Sequence, residues 1–272
     1  MTEFLAKYMP IDASSHGAAL DRLNALVHWV MLILFIFWAS YFVYVLWRFN
    51  AKRNPKASYT GMQSHWSTYS ETGVAVIEVV LLVAFSIPLW SKWATPPEPK
   101  ANALEVRLAA EQFAWNVQYP GKDGVFGKRN VNLVTSTNPI GLDPNDPAGK
   151  DDIVTLNQLH VELNRPVIVH VTSKDVIHSF SLPVMRVKQD AIPGMDVPIH
   201  FTPIKANTTG KWEIACAQLC GLGHYRMRGQ LFVHPKQDFD EWARKAAPEN
   251  PATPAPNPVP AATPAQPTQP AS

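Results

Sequence analysis

Both cysteines of the chain lie in one short segment that also contains a histidine and a methionine. In chain order, the residues with candidate donor atoms are Cys216, Gln218, Cys220, His224 and Met227. Two thiolates, an imidazole and a thioether are soft ligands, which suit copper far better than magnesium, calcium or manganese. The segment 216–227 therefore predicts a copper site.

The second cysteine bears on the number of metal ions. A mononuclear blue-copper centre uses one thiolate, so Cys220 would be one thiolate too many for it. Two thiolates can instead bridge two coppers, each of which needs its own imidazole. The segment supplies only His224, and the best candidate for the second imidazole is His178, which follows the β-rich stretch 166–172. A backbone carbonyl between the cysteines can complete the set.

Two other interpretations fit the cysteines less well. In an oxidising compartment the pair could form a disulfide, but the adjoining histidine and methionine and the distant His178 favour copper. A zinc site is disfavoured, because methionine is a poor zinc ligand and the spacing differs from that of Cys2His2 sites.

Short β-rich runs over residues 101–240 have to position these ligands. Candidate strands lie at 113–119, 167–171, 212–215 and 230–233, separated by turn residues, and the last two flank the copper segment. Regularly spaced strands of this kind predict an antiparallel sandwich or barrel. Residues 125–152, rich in Asn, Gly, Pro and Asp, are expected to form a long excursion between strands.

Three motifs resemble subunit II of cytochrome c oxidase, over roughly residues 20 to 240: DVIHSF at 175–180, VKQDAIPG at 187–194 and CAQLCGLGHYRM at 216–227. The resemblance implies a cupredoxin-like domain with a dinuclear copper centre, CuA. It assigns Cys216 and Cys220 as bridges, His178 and His224 as terminal ligands, and Met227 and the backbone carbonyl of Gln218 as axial ligands.

The chain departs from the family pattern at two places. Gln218 stands where most members have a glutamate that helps to bind magnesium or manganese at the interface with subunit I, and an amide is a poorer ligand for a hard dication. This leaves the magnesium site open. The tryptophan through which the family accepts electrons is replaced by Phe113, so Trp115 or a tyrosine could take part of that role.

Two apolar segments, about 25–47 and 73–90, are long enough to cross a hydrocarbon core of about 30 Å. They predict a two-helix transmembrane hairpin over residues 23–93, preceded by an external segment, 1–22. The connection carries Arg48, Lys52, Arg53 and Lys56 against Glu71. By the positive-inside rule the connection is cytoplasmic, so both termini and the copper domain are expected on the periplasmic or outer face. The polar tail favours a bacterial plasma membrane.

Glu78 is an ionisable residue inside the second span. Such a residue suggests a function by default, although it can also snorkel toward the membrane surface. The resemblance implies a glutamate at the cytoplasmic mouth of a proton pathway into subunit I. The family's W-T-x-x-P continuation is absent, however, with Leu81 and Leu82 in place of W-T and Pro88 three residues late.

The tail, residues 247–272, is rich in Pro and Ala and is expected to be disordered. No C-x-x-C-H motif occurs, so no covalent haem is expected. The net charge of +2, with 14 basic and 14 acidic residues over 101–240, indicates neither a nucleic-acid partner nor strong attraction of a basic cytochrome.

The sequence thus predicts the electron-accepting subunit of a membrane terminal oxidase. Its CuA centre would take electrons from cytochrome c or another periplasmic donor and pass them to haem in subunit I, where oxygen is reduced. Expected partners are subunit I, other oxidase subunits and membrane lipid. The alternative is a membrane-anchored copper chaperone or sensor.

Overall fold

The structure, a computed structural model, describes residues 7–56, 59–60, 64–94 and 102–247. The chain divides into two compact units, one helical and one built mainly of β-strands. The predicted tail, apart from Ala247, lies outside the described residues.

Helix α1 spans Gly17–Arg48 and begins eight residues before the predicted span 25–47. Helix formation needs backbone hydrogen bonds, whereas membrane insertion also needs apolar side chains, so a helix can extend beyond its apolar part through good helix formers such as Ala18 and Leu20. The helix starts tightly against Asp12, because a Cβ on Gly17 would lie 1.9 Å from that carboxylate. At the other end, Asn50 donates from Nδ2 to the carbonyl oxygen of Trp47 at 2.7 Å.

The second apolar segment is helical from Trp66 to Ala94 and changes its geometry once. Helix α2 spans Trp66–Leu81, a π-helical turn covers Leu82–Ser86, and helix α3 spans Ile87–Ala94. Pro88 has no N–H and its ring would clash with the carbonyl of the residue four positions earlier, so a widened turn before it relieves the conflict.

Both helical stretches are long and apolar enough to cross a membrane. Their large apolar side chains are exposed in the chain by itself; Phe35, for example, is 70% exposed and Phe42 61%. Surfaces of this size and character need a cover of lipid or protein.

Within residues 102–247, the described part of the β unit, there are ten strands. They are β1 (Leu104–Glu111), β2 (Ala114–Tyr119), β3 (Ile153–Leu156), β4 (Gln158–Glu162), β5 (Val167–Ser173), β6 (His178–Leu182), β7 (Val187–Ala191), β8 (Val197–Phe201), β9 (Asn207–Cys216) and β10 (Arg228–His234). One sheet has the order β3-β2-β1-β5-β8 and the other β4-β10-β9-β6-β7. Side chains from both sheets meet in the core, where Trp115 of β2 and Phe180 of β6 pack edge to face at 5.9 Å. Two apolar helical stretches followed by an all-β sandwich confirm the predicted fold class.

Most strand pairs are antiparallel, as predicted, but among the described residues each sheet also contains one parallel pair. Strand β1 runs parallel to β5, with Val106 opposite Val169, and β10 runs parallel to β4, with Leu231 opposite Leu159. Parallel neighbours need a long crossover between them, and here that crossover contains whole strands of the chain. Local sequence patterns reveal strands but not their distant partners.

Two further segments cover the sheets. The connection between β2 and β3 covers residues 120–152 and contains the predicted excursion, 125–152. It has short 3-10 turns at Val131–Leu133 and Pro147–Gly149, and Asp152 fastens it by accepting from Gln118 Nε2 at 2.6 Å. Helix α4, Lys236–Ala246, was not predicted and packs against β4 and β10.

Candidate metal centre

The predicted ligands meet at one end of the β unit because of how β6, β9 and β10 pair. Cys216 is the last residue of β9, and Met227 immediately precedes β10, so the loop between them closes on itself. Strand β6 pairs with β9, with Phe180 opposite Cys216, which places His178 beside the loop. The sheet therefore brings together residues that are 38 positions apart.

The candidate donor atoms form one compact group. The two sulfur atoms, Cys216 Sγ and Cys220 Sγ, are 3.8 Å apart. Around them, the measured separations are 3.9 Å from Cys216 Sγ to His178 Nδ1, 3.2 Å from Cys216 Sγ to the Gln218 carbonyl oxygen, 3.6 Å from Cys220 Sγ to His224 Nδ1, and 3.7 Å from Cys220 Sγ to Met227 Sδ. Every residue predicted as a copper ligand thus contributes an atom to this group, and His178, Cys216 and Cys220 alone could hold a metal ion.

The sulfur–sulfur separation fits two thiolates that share a metal. A disulfide bond is about 2.05 Å long, well short of the 3.8 Å found here. Two metal–thiolate bonds of about 2.3 Å that meet at a tetrahedral angle place their sulfurs about 3.8 Å apart. The donor set, two sulfurs with imidazole, thioether and carbonyl neighbours, also suits copper.

Three of the six candidate ligand residues are buried, whereas Cys216 and His224 are half-buried and Gln218 is exposed. The side chain of His178 is fully buried, and Cys220 and Met227 are only 4% and 2% exposed. Burial, and after it the neighbouring Cys216 thiol, raise the pKa of Cys220 to about 11. A metal must therefore displace a firmly held proton from this thiol, so metal binding releases protons.

The His178 ring is oriented by a carboxylate. Its Nε2 lies 2.8 Å from Asp175 Oδ1, which leaves Nδ1 turned toward Cys216. Partial burial raises the pKa of Asp175, but hydrogen bonds from His178 and from backbone N–H groups outweigh it and hold that pKa below its ordinary value. A neutral imidazole that donates from Nε2 to an ionised carboxylate presents the Nδ1 lone pair to a metal.

Gln218 joins the group through a backbone atom. The residue is exposed, whereas its carbonyl oxygen lies at the Cys216 sulfur. Any contribution of this residue to the centre therefore comes through its backbone.

The two residues predicted for electron acceptance lie near the centre in different ways. Phe113 is half-buried and packs on the loop: a Cβ on Gly223 would lie 2.4 Å from Phe113 Cδ2. Trp115 is fully buried and lies edge to face with the His178 ring at 6.2 Å. A direct contact between Trp115 and a soluble donor is therefore excluded, and the part of Phe113 and Trp115 in electron entry stays a prediction.

Glu78 belongs to the helical unit, where it is exposed on α2. Because α2 begins at Trp66 and not at residue 73, where the predicted span starts, Glu78 lies a little over three turns into the helix, at about 3.6 residues per turn. The polar residues 67–72 extend the helix, as when Thr72 Oγ1 donates to the carbonyl oxygen of Thr68 at 2.8 Å.

Sequence reasoning overlooked the role of Gln112. Its backbone N–H donates to Asp175 Oδ2 at 2.7 Å, and its side-chain Nε2 donates to the carbonyl oxygen of Cys220 at 2.6 Å. The only signal in the sequence was its position next to Phe113, which stands where the family has its electron-accepting tryptophan.

Comparison with known proteins gives consistent matches. The profile of the family described as cytochrome C oxidase subunit II, periplasmic domain, matches residues 104–231. The alternative cytochrome c oxidase subunit 2 of Bradyrhizobium diazoefficiens is 34% identical over 233 residues, which is 85% of this chain and 80% of that protein. Cytochrome c oxidase subunit 2 of Cereibacter sphaeroides is 27% identical over 248 residues, 86% of this chain and 78% of that protein.

Among solved structures, the periplasmic domain of subunit II of cytochrome oxidase from Bradyrhizobium japonicum is 27% identical, with a TM-score of 0.40, and the match covers 56% of this chain and 96% of that one. The Bradyrhizobium diazoefficiens relative matches along most of both chains, and the family profile covers most of the β unit with its ligand loop. The chain therefore belongs to the cytochrome c oxidase subunit II family, whose members are subunits of heme-copper oxidases.

Proposed function

We propose that the chain accepts electrons from cytochrome c or a similar carrier at a dinuclear copper centre and passes them to haem in subunit I. The observation that carries the proposal is the pair of sulfurs 3.8 Å apart, each within 4 Å of a different imidazole. A single tetrahedral ion has four coordination positions, which is too few for two thiolates, two imidazoles, a thioether and a carbonyl. Two ions that share the thiolates could bind all six groups, with one imidazole and one weak ligand for each ion.

The ligand set is formed by His178, Cys216, Gln218 through its carbonyl, Cys220, His224 and Met227. A copper pair held there supplies a site that takes up and releases one electron at a time.

The chain's own contribution is to hold the ligands in place and to shield the buried ones, His178, Cys220 and Met227, from solvent. His178 is oriented by Asp175 and packed against Trp115, and Met227 is buried at the root of β10. Ligands held by a folded sheet rearrange little when charge changes, and outer partners of this kind tune a metal site. These features favour electron transfer over a chaperone, which would need accessible ligands to hand its metal on.

The helical unit supports a multi-pass anchor in a bacterial plasma membrane. With Arg48, Lys52, Arg53 and Lys56 in the connection against Glu71, the positive-inside rule places that connection in the cytoplasm. Both termini and the copper domain then lie on the periplasmic face, where a soluble donor can reach them. Lipid, subunit I and other oxidase subunits would cover the exposed apolar side chains of α1 and α2.

Glu78 is proposed to take part in proton uptake from the cytoplasmic side. It is an exposed carboxylate on an apolar helix, and such a residue needs protein or water around it in a membrane. Glu78 lies a little over three turns from the start of its helix. At that depth we expect the carboxylate to contact a neighbouring protein subunit and not the membrane surface.

Metal analysis of the full chain, purified in detergent after loading with copper, tests the central proposal. We expect two coppers per chain and an electron paramagnetic resonance spectrum with hyperfine splitting from both nuclei. A single copper per chain, or the spectrum of a blue mononuclear site, would overturn it.

A further inference from the structure

Gln112, in the turn between β1 and β2, is hydrogen-bonded to both chain segments that form the candidate centre. Its backbone N–H donates to Asp175 Oδ2 at 2.7 Å, on the segment that leads into His178. Its side-chain Nε2 donates to the carbonyl oxygen of Cys220 at 2.6 Å, in the ligand loop. One residue thus bridges the segment with the buried imidazole and the loop with the thiols.

The bridge continues to the imidazole through Asp175. Each carboxylate oxygen of Asp175 has its own partner: Oδ2 accepts from the Gln112 N–H, and Oδ1 lies 2.8 Å from His178 Nε2. Gln112 and Asp175 therefore link the Cys220 carbonyl to the His178 ring, through hydrogen bonds made by the side chain and the backbone of Gln112 and by both carboxylate oxygens of Asp175. These two residues lie on different elements, the ligand loop and β6, so local chain geometry alone does not fix their separation.

The ligand loop packs closely against the turn that contains Gln112, so the position of the turn constrains the position of the loop. A Cβ on Gly221 would lie 2.7 Å from Gln112 Nε2, and one on Gly223 would lie 2.4 Å from the Phe113 ring. Because both glycines lack a side chain, the loop backbone rests directly on the turn. Gly221, at φ +130, also adopts a backbone conformation that side chains disfavour.

We propose that Gln112 is a positioning residue that fixes the Cys220 side of the loop relative to His178 and so preorganises the site for its two coppers. The proposal rests on the dinuclear centre proposed above. Gln112 touches no copper; it acts through the Cys220 carbonyl and Asp175. Outer partners of metal ligands commonly change metal affinity by about ten- to a hundredfold when removed.

Gln112→Met tests this role because it keeps the length of the side chain, removes its donor and leaves the backbone N–H to Asp175 in place. The full chain in detergent is loaded with copper and then exposed to excess chelator. We expect copper loss at least about tenfold faster than from the unsubstituted chain, with a changed hyperfine pattern. Gln230→Met is the matched control, an exposed glutamine on β10 for which we expect the original rate and spectrum.

Copper-free protein separates positioning from general stability. Gln112 is exposed, so we expect the thermal midpoint of copper-free Gln112→Met to stay within about 4 °C of the unsubstituted chain. A larger fall would make the residue a stability determinant and overturn the inference. Unchanged copper loss and spectrum in Gln112→Met would overturn it while the dinuclear centre stands, whereas fewer than two coppers in the unsubstituted chain would overturn both.

Discussion

The two cysteines of the ligand loop occupy different environments although they are four residues apart. Cys220 is 4% exposed and its pKa is raised to about 11, chiefly by burial, whereas Cys216 is half-buried at the end of β9. Both sulfurs nevertheless lie within 4 Å of an imidazole nitrogen. Both thiols therefore belong to the candidate centre, and we expect the loss of either one to weaken binding at both metal positions.

Substitution separates the thiols from the residue between them. Cys216→Ser and Cys220→Ser should each abolish the dinuclear centre, because a hydroxyl does not replace a bridging thiolate. Gln218→Ala should keep two coppers per chain, since its carbonyl oxygen and not its exposed amide faces Cys216. Copper content and paramagnetic resonance of the full chain check both statements, and copper loss from correctly folded Gln218→Ala would contradict the second.

Trp115 should matter for stability because it fills the core between the sheets, in contact with Phe180 and His178. Truncating a fully buried tryptophan costs about 3–5 kcal/mol, so Trp115→Ala should lower the free energy of unfolding of the copper-free chain by that order. Tyr225→Ala, at a side chain 86% exposed in the ligand loop, should change it by less than about 0.5 kcal/mol. Denaturant unfolding followed by near-ultraviolet circular dichroism compares them, and equal stabilities would refute the expectation.

Residue types and spacing were enough to predict which side chains gather at the centre, but not what surrounds them. The soft donors of the loop and His178 stand out because copper needs those types at those intervals. Gln112 and Asp175 act through a backbone N–H, an amide and a carboxylate, groups that occur throughout any sequence. Whether Trp115 faces a partner or the core depends on β2 pairing with β1, which local pattern does not reveal.

Helix α4 is attached to the β unit by a stack of flat rings. His160 on β4 lies between Phe232, at 4.3 Å, and Trp242 of α4, at 4.2 Å, and its Nδ1 is 2.8 Å from His234 Nε2. Burial, and then the neighbouring His234, lower the pKa of His160 to about 3, and burial also lowers the pKa of His234. The stack is thus built for a neutral imidazole.

Acid should weaken this attachment. A histidine whose pKa is lowered in the folded state contributes fully above its ordinary pKa of about 6.5, and that contribution is lost as the pH falls toward the folded value. For His160 the loss at about pH 5 is on the order of 2 kcal/mol. The thermal midpoint of the copper-free chain should therefore fall between about pH 7.5 and about pH 5.

His160→Phe is the control for this titration, because phenylalanine keeps a flat ring between Phe232 and Trp242 but cannot take up a proton. Its thermal midpoint should fall less than that of the unsubstituted chain over the same pH range. An equal fall in both proteins would assign the acid sensitivity to other groups.

Elements were predictable where the pattern was local. The runs at 113–119, 167–171 and 230–233 correspond to β2, β5 and β10, since alternating or β-branched residues report a strand directly. The first turns of α1 and α2 were not predicted. Apolar composition identifies the part of a helix that can lie in a membrane, and both helices begin before that part. The parallel pairs β1–β5 and β4–β10 were missed because they join residues far apart in the chain.

At the scale of the whole molecule, the two proposed functions belong to different units: proton uptake to the helical unit and electron transfer to the β unit. The carboxylate of Glu78 belongs to the first unit and the copper ligands to the second. The proposed functions of the two units can therefore be separated by substitution.

Glu78→Gln in the assembled oxidase should slow steady-state oxygen consumption and leave the rate of electron transfer into the copper centre unchanged, because an amide cannot carry protons. Glu71→Gln is the matched control, an exposed carboxylate near the start of the same helix that should leave both rates unchanged. Stopped-flow reduction and oxygen-electrode measurements distinguish the two rates. Normal oxygen consumption by assembled Glu78→Gln would leave this residue without a role in proton uptake.

Most of the candidate copper ligands lie in the short connection between β9 and β10, so the candidate site can be removed without removing a strand. Five of the six candidate ligands lie between the end of one strand and the start of its direct neighbour, and those strands pair through their own ladder. A plain hairpin turn in place of residues 217–227 would leave both sheets able to form. Exchange of this one loop would thus remove the candidate copper site and leave the apolar helices and the rest of the sandwich unchanged.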